Sequence, residues 1–153
     1  MDAVIRLATP DDAHTIGRLL DAFNREFDEP TPGSDQLARR LAELMRAGDC
    51  VVLLAGDPPG GLAVLRFRPS IWDPGLESYL AELYVVPERR GRGLGRSLME
   101  AALEAARDRG AGYMELNTAE TDVVARKLYE SLGFNNREGK PDGPLCYYYE
   151  REL

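Results

Sequence analysis

Tyr84-Val85-Val86-Pro87-Glu88-Arg89-Arg90-Gly91-Arg92-Gly93-Leu94-Gly95-Arg96-Ser97 joins an apolar run that begins at Tyr79 to a helical stripe that begins at Leu94. Glycines at this junction let main-chain N–H groups converge without Cβ atoms in the way. The N-terminus of the following helix adds its own free donors and the positive end of its dipole. Strand, glycine turn and helix in succession therefore describe an anion site of the kind that holds phosphate. Arg90, Arg92 and Arg96 add positive charge at its rim. Two nucleotide readings fail on residues. A P-loop needs Lys followed by Ser or Thr after the last glycine, and no Lys is present here. A dinucleotide fingerprint counted from Gly91 and Gly93 would place its third glycine at Arg96, and such a turn normally follows the first strand of a domain.

Downstream of the turn, Leu94, Leu98, Ala101, Ala102 and Ala105 recur at helical spacing, and Arg107, Arg109 and Gly110 supply C-terminal signals. A strand over Tyr113–Asn117, a helix over Val123–Leu132 and a final strand over Leu145–Glu150 follow. Upstream, Cys50–Ala55 and Leu62–Phe67 flank a Gly-Asp-Pro-Pro-Gly-Gly turn and predict a hairpin. Val4–Leu7 reads as a short strand. Thr9-Pro10-Asp11-Asp12 reads as the start of a helix that carries Ile16, Leu19, Leu20, Phe23 and Phe27 on one face. A second helix opens at Ser34 and Asp35, presents Leu37, Leu41, Leu44 and Met45, and closes at Gly48. The order is β-α-α-β-β-β-α-β-α-β-β, an α/β arrangement with a mixed sheet flanked by helices.

The bulk numbers agree with one core. The chain has 153 residues, 44% of them hydrophobic and 29% charged, so residues 1–153 read as a single domain. No apolar run is long enough to span a bilayer, and Met1–Pro10 lacks the basic-then-apolar order of a signal peptide. A cytoplasmic protein with no membrane partner is expected. The net charge of −7 is poorly suited to nucleic acid, whose phosphates call for clustered Lys and Arg. Cys50 and Cys146 do not make a disulfide framework, and with His14 the only histidine no metal-ligand spacing exists. Cys50 opens an apolar run and reads as a small buried thiol.

Arg90-x-x-Gly93-x-Gly95 resembles the R/Q-x-x-G-x-G/A signature of the GNAT superfamily of N-acetyltransferases. The likeness extends to Leu83-Tyr84-Val85-Val86-Pro87 and to Leu128-Tyr129-Glu130-Ser131-Leu132-Gly133-Phe134, in the family's order and spacing. The resemblance implies a GNAT-like fold, acetyl-CoA as co-substrate, no metal, and a primary amine on a small molecule or peptide as acceptor. It implies that the cofactor arm meets the backbone of Leu83, Tyr84 and Val85. The pyrophosphate is expected on Arg90, Gly91, Arg92, Gly93, Leu94, Gly95 and Arg96, with Ser97 at the edge. Tyr129 stands where the family's general acid protonates the leaving thiolate. Glu82 is the first candidate for the base that deprotonates the amine, with Glu77 and Glu115 behind it.

Two positions depart from the family's pattern. Asp122 stands where many members use Asn to bind the cofactor arm and is counted with the cofactor-binding residues, although a carboxylate there can cap a helix instead. Asn117 stands where some protein-acetylating members carry Glu. Phe23, Phe27, Asp28 and Glu29, with Tyr147, Tyr148 and Tyr149, are the residues expected near an amine acceptor. A non-catalytic acyl-CoA-binding regulatory module is the alternative reading, which an intact Tyr129 argues against. Monomer and homodimer both stay open.

Overall fold

The computed structural model describes residues 4–153, so the first three residues of the Met1–Pro10 stretch lie outside the described residues. They form two compact units that divide after Glu115.

The first unit holds a five-stranded sheet in the order β1-β2-β3-β4-β5. Its strands are β1 (Ile5–Leu7), β2 (Cys50–Ala55), β3 (Gly61–Pro69), β4 (Leu76–Val85) and β5 (Ala111–Glu115). Neighbours are antiparallel except β4 and β5, which run parallel as a mixed sheet requires of strands joined through a helix. The hairpin expected around the Gly56–Gly61 turn joins β2 to β3 in continuous register from Cys50↔Arg66 to Ala55↔Gly61.

One face of the sheet is covered by α1 (Ala13–Glu26) and α2 (Ser34–Ala47). Ile16, Leu19 and Leu20 of α1 and Leu41 of α2 pack with Val52, Leu54, Leu62, Val64 and Tyr84 into one apolar cluster. Alternate residues of each strand supply that face, as strand geometry requires. The two helices are in close contact at Gly17, where a Cβ would overlap Ser34 O and the backbone of Ala38. The opposite face is covered by α3 (Leu94–Asp108), whose Leu98, Met99 and Ala102 have no solvent exposure. Arg109, at the C-terminal end of α3, donates to Gly48 O (2.8 Å) and lies over the Phe67 ring. Cys50 is buried, and burial pushes its thiol up, in agreement with an inert core cysteine.

The second unit begins at Leu116 and contains α4 (Val123–Ser131). The two closing strands expected from the sequence do not form. In their place is a single bridge between Arg137 and Leu145, flanked by the bonds Glu138 N–H to Pro144 O and Cys146 N–H to Asn136 O. The intervening segment doubles back on itself, with Lys140 N–H on Glu138 O and Gly143 N–H on Lys140 O. Pro141 and Pro144 have no N–H to give a ladder, so the pairing stops after one bridge.

Candidate active site

The site is built on the second half of β4. Parallel pairing to β5 covers Leu76–Tyr79 and ends at Tyr79↔Glu115, while β3 continues to pair with β4 as far as Val85. Val86 N–H donates to Gly60 O (2.8 Å). The alternation of an antiparallel ladder therefore turns the main chains of Tyr84 and Glu82 toward β3, opposite Leu62 and Val64. Leu83 and Val85 turn theirs to the other edge, where β4 has no strand partner among the described residues. The register thus separates the three backbone positions named above: Leu83 presents its N–H and C=O, and Val85 its N–H, on an open edge, and Tyr84 does not. A bulge at Ala81, between Leu65↔Leu80 and Val64↔Glu82, marks the start of this open stretch. Bulges of this kind re-aim side chains beside functional sites.

The open edge runs directly into the glycine turn. After a short 3-10 turn (Pro87–Arg89), Gly91 and Gly93 take φ values of 75° and 80°, a left-handed conformation that favours glycine. A Cβ on either would meet no atom within 4 Å, so both face open space. Gly93 caps α3, and Ser97 N–H returns to Gly93 O (3.0 Å). The N–H groups of Leu94 and Gly95, in the first helical turn, have no helical acceptor. The Arg92 side chain is exposed, and that of Arg96 lies 3.9 Å from Glu100. Converging donors, open space and a helix dipole fit a pyrophosphate.

Arg90, expected at the rim of the turn, also makes contacts within the protein. Its Nε donates to Val85 O (2.9 Å) and its Nη2 to the Glu26 carboxylate (2.8 Å) at the end of α1. Glu26 also accepts from Tyr84 Oη (3.0 Å), and the Tyr84 ring stacks on Phe23 at 4.8 Å. Burial, aided by Glu26, pushes the Tyr84 phenol up to about 12, so it stays a donor. Tyr84 and Arg90 together tie α1, β4 and the glycine turn into one frame. Sequence reasoning missed Glu26, because it lies 58 and 64 residues from its partners and only the fold joins them.

The three candidate bases separate cleanly. Arg68 donates to Glu77 (2.7 Å) and to Glu115 (3.0 Å), bridging three strands, so both carboxylates are committed. Glu82 has no hydrogen-bond or ion-pair partner among the described residues. It shares the α1 and α2 face of the sheet with Val64, its cross-strand neighbour. Burial alone raises its carboxyl above the usual range, which is the direction a base working near neutral pH requires. Phe23 and Phe27 meet edge to face at 5.5 Å, and Phe27 is exposed at 56%.

In the second unit, Tyr129 of α4 is only 9% exposed, with Phe134 edge-on at 6.1 Å. Phe134 N–H donates to Tyr129 O (3.1 Å), so the Gly133 exit of the helix fixes both rings. Burial, with the charge of Asp122 adding to it, pushes the Tyr129 phenol up to about 12. Its hydroxyl has no hydrogen-bond partner among the described residues and is therefore a neutral, uncommitted proton donor. Asp122, proposed above as a cofactor contact, has both oxygens in use: Oδ1 caps α4 at Ala125 N–H, and Oδ2 accepts from Thr118, each at 3.3 Å. Tyr147, Tyr148 and Tyr149 are all exposed.

An open strand edge leading to a glycine turn at a helix N-terminus, on a five-stranded mixed sheet, is the arrangement that the resemblance to N-acetyltransferases implies. The profile of the Acetyltransferase (GNAT) family matches residues 16–134, so the chain belongs to that family and is an N-acetyltransferase. It is 30% identical over 165 residues to the thialysine N-epsilon-acetyltransferase of Bos taurus, covering 97% of this chain and 93% of that one. It is 37% identical over 125 residues to the streptothricin acetyltransferase of Streptomyces lavendulae, covering 82% and 59%. A crystallised protein of Arthrobacter sp. FB24, assigned to the acetyltransferases, is 51% identical and superposes with a TM-score of 0.88 over 98% of this chain and 96% of that one. Acetyl-CoA is the general co-substrate of the family. Among the described residues no group of His, Cys, Asp and Glu could hold a metal ion, and no helix is long and apolar enough to cross a membrane.

Proposed function

We propose that the chain moves an acetyl group from acetyl-CoA to a primary amine of a small molecule or peptide, by direct attack of the amine on the thioester. The observation that carries this reading is the open edge of β4 leading, through one short 3-10 turn, into the Gly91–Gly93 turn. An edge of main-chain donors and acceptors suits an amide-bearing arm, and the turn suits the pyrophosphate at its end. Leu83 and Val85 would hold the arm. The main chain from Gly91 to Arg96 would hold the pyrophosphate, with Arg92 and Arg96 at the rim and Ser97 at the edge. Tyr84 and Arg90 shape the site without touching the reacting atoms, and Asp122 serves α4.

Acetyl-CoA supplies the activated thioester. Glu82, held above the usual carboxyl range by burial, removes a proton from the incoming ammonium through water. Tyr129, protonated at neutral pH, gives a proton to the departing thiolate as the C–S bond breaks, and the proton that the nitrogen sheds on forming the amide restores the phenol. The acceptors named for relatives, thialysine and streptothricin, both belong in a first screen.

The test combines two measurements. Acetyl-CoA should raise Tm where inorganic phosphate does not, and thiol release should appear with some member of a panel of amino acids, polyamines, aminoglycosides and peptide N-termini. A rise with phosphate but none with acetyl-CoA would sink the reading.

A further inference from the structure

One cation on the face of the sheet that carries Glu82 has no counter-charge. Arg66 is half-buried, its Nε is shut off from solvent, and that atom has no hydrogen-bond partner. No carboxylate among the described residues pairs with its guanidinium. The neighbouring arginines of the sheet differ: Arg6 holds Asp12, Arg68 holds Glu77 and Glu115, and Arg109 caps Gly48 O. Cys50 lies directly across β2 from Arg66, but burial keeps that thiol neutral. Enclosing a guanidinium without a partner costs free energy, so the fold carries at Arg66 a binding capacity that its own residues leave unused.

Register places that capacity. Arg66 pairs with Cys50 on one side and Tyr79 on the other, and Cys50 belongs to the cluster beneath α1 and α2. Val64, two residues away on β3, pairs with Glu82 and belongs to the same cluster. Arg66 and Glu82 are therefore diagonal neighbours on one face, with Cα atoms about 7–8 Å apart. The pyrophosphate turn is not the source of the missing anion. From Tyr79, opposite Arg66, to Pro87 the strand advances about 25 Å, and Glu82 lies between the two.

We propose that Arg66 binds the acceptor, and that the acceptor is an amino carboxylic acid that places its amine toward Glu82 and its carboxylate on the Arg66 guanidinium. A planar fork of N–H donors matches a carboxylate with two parallel bonds. A phosphate would call for several cations, and Arg68, two residues along β3 on the same face, is already committed to Glu77 and Glu115. The proposal rests on the acetyl-transfer reading of Glu82, and it narrows the acceptor from amines in general to those bearing an acidic group.

The experiment uses matched pairs: L-lysine with cadaverine, L-ornithine with putrescine, and the other common L-amino acids with their decarboxylated amines. Thiol release from acetyl-CoA is followed for the wild type, Arg66→Met and Arg66→Lys. The wild type should prefer the carboxylated member. Arg66→Met should lower kcat/KM for that member roughly 10- to 150-fold, mainly through KM, the range for losing a charge-assisted pair. The decarboxylated member and KM for acetyl-CoA should not change, and Arg66→Lys should recover part of the loss. Equal losses for both members, or a wild-type preference for the decarboxylated amine, would overturn the assignment. Silence of every amino acid while acetyl-CoA still raises Tm also overturns it, whereas failure of acetyl-CoA to raise Tm strikes the acetyl-transfer reading instead.

Discussion

Glu26 touches no reacting atom, yet replacing it should weaken acetyl-CoA use. Its carboxylate accepts from Arg90 Nη2 at 2.8 Å and from Tyr84 Oη at 3.0 Å, and Arg90 in turn holds Val85 O at the open edge. The Glu26 and Arg90 side chains are 26% and 44% exposed, so solvent screens the ion pair. It is then worth about 0.5–1 kcal/mol. The Tyr84 hydrogen bond adds about 1 kcal/mol. A total of about 1.5–2 kcal/mol corresponds to roughly 10- to 30-fold in an equilibrium constant and to a fall in Tm of about 3–8 °C. Glu26→Ala should therefore raise KM for acetyl-CoA about tenfold, approaching thirtyfold if the whole loss falls on the turn. Its kcat should stay within about twofold, because no transition-state contact is lost. Glu26→Gln keeps an acceptor for Tyr84 and should fall between. The assay is thiol release with acetyl-CoA varied at fixed acceptor, paired with a thermal melt. A lowered Tm with unchanged KM would show that the frame stabilises α1 without shaping the turn, and the reasoning would fail.

Three further outcomes follow from the site. Tyr129→Phe should lower kcat by roughly 10- to 1000-fold while acetyl-CoA affinity stays nearly constant; unchanged turnover removes Tyr129 from the acid's role. Gly93→Val forces a β-branched residue to a φ of 80° and fills the open space before α3, so it should abolish the Tm rise with acetyl-CoA while a cooperative melt persists. Glu82→Gln should remove the acid limb of the kcat/KM profile, which in the wild type lies above the ordinary glutamate value because burial raises this carboxyl. The linkage has a definite sign. A carboxyl whose folded pKa exceeds its unfolded one takes stability away as pH rises through that window. Glu82→Gln should thus raise Tm at pH 7 to 8, with the gain vanishing in acid; a gain that grows in acid contradicts the burial account.

Much of the first unit could be read from local pattern. The turn chemistry at Gly56–Gly61 predicted the β2–β3 hairpin, and the stripe from Leu94 predicted α3, because period and breaker residues act within a few positions. The tail could not be read that way. Leu145–Glu150 has the alternation of a strand, but a ladder needs a partner within reach, and the prolines and turns before it allow one bridge. Asp122 shows the same limit on a smaller scale, since a carboxylate before a helix can bind a ligand or cap the helix, and only the Ala125 N–H at 3.3 Å assigns it to the cap.

By itself, the sequence determined the family of this protein: a glycine turn between a strand and a helix, spaced from Leu-Tyr-Glu-x-Leu-Gly-Phe as the family requires, with donors that belong to the backbone and need no distant partner. Only the tertiary structure decided which carboxylate is left unpaired. Glu77, Glu82 and Glu115 are equivalent as letters, but Arg68 reaches two of them across three strands, and the bulge at Ala81 leaves the third half-buried and unpaired. The same holds for Glu26 with Arg90, and for Arg66 with nothing. Charge pairing is set by distances between residues far apart in the chain, and those distances exist only once the sheet has formed.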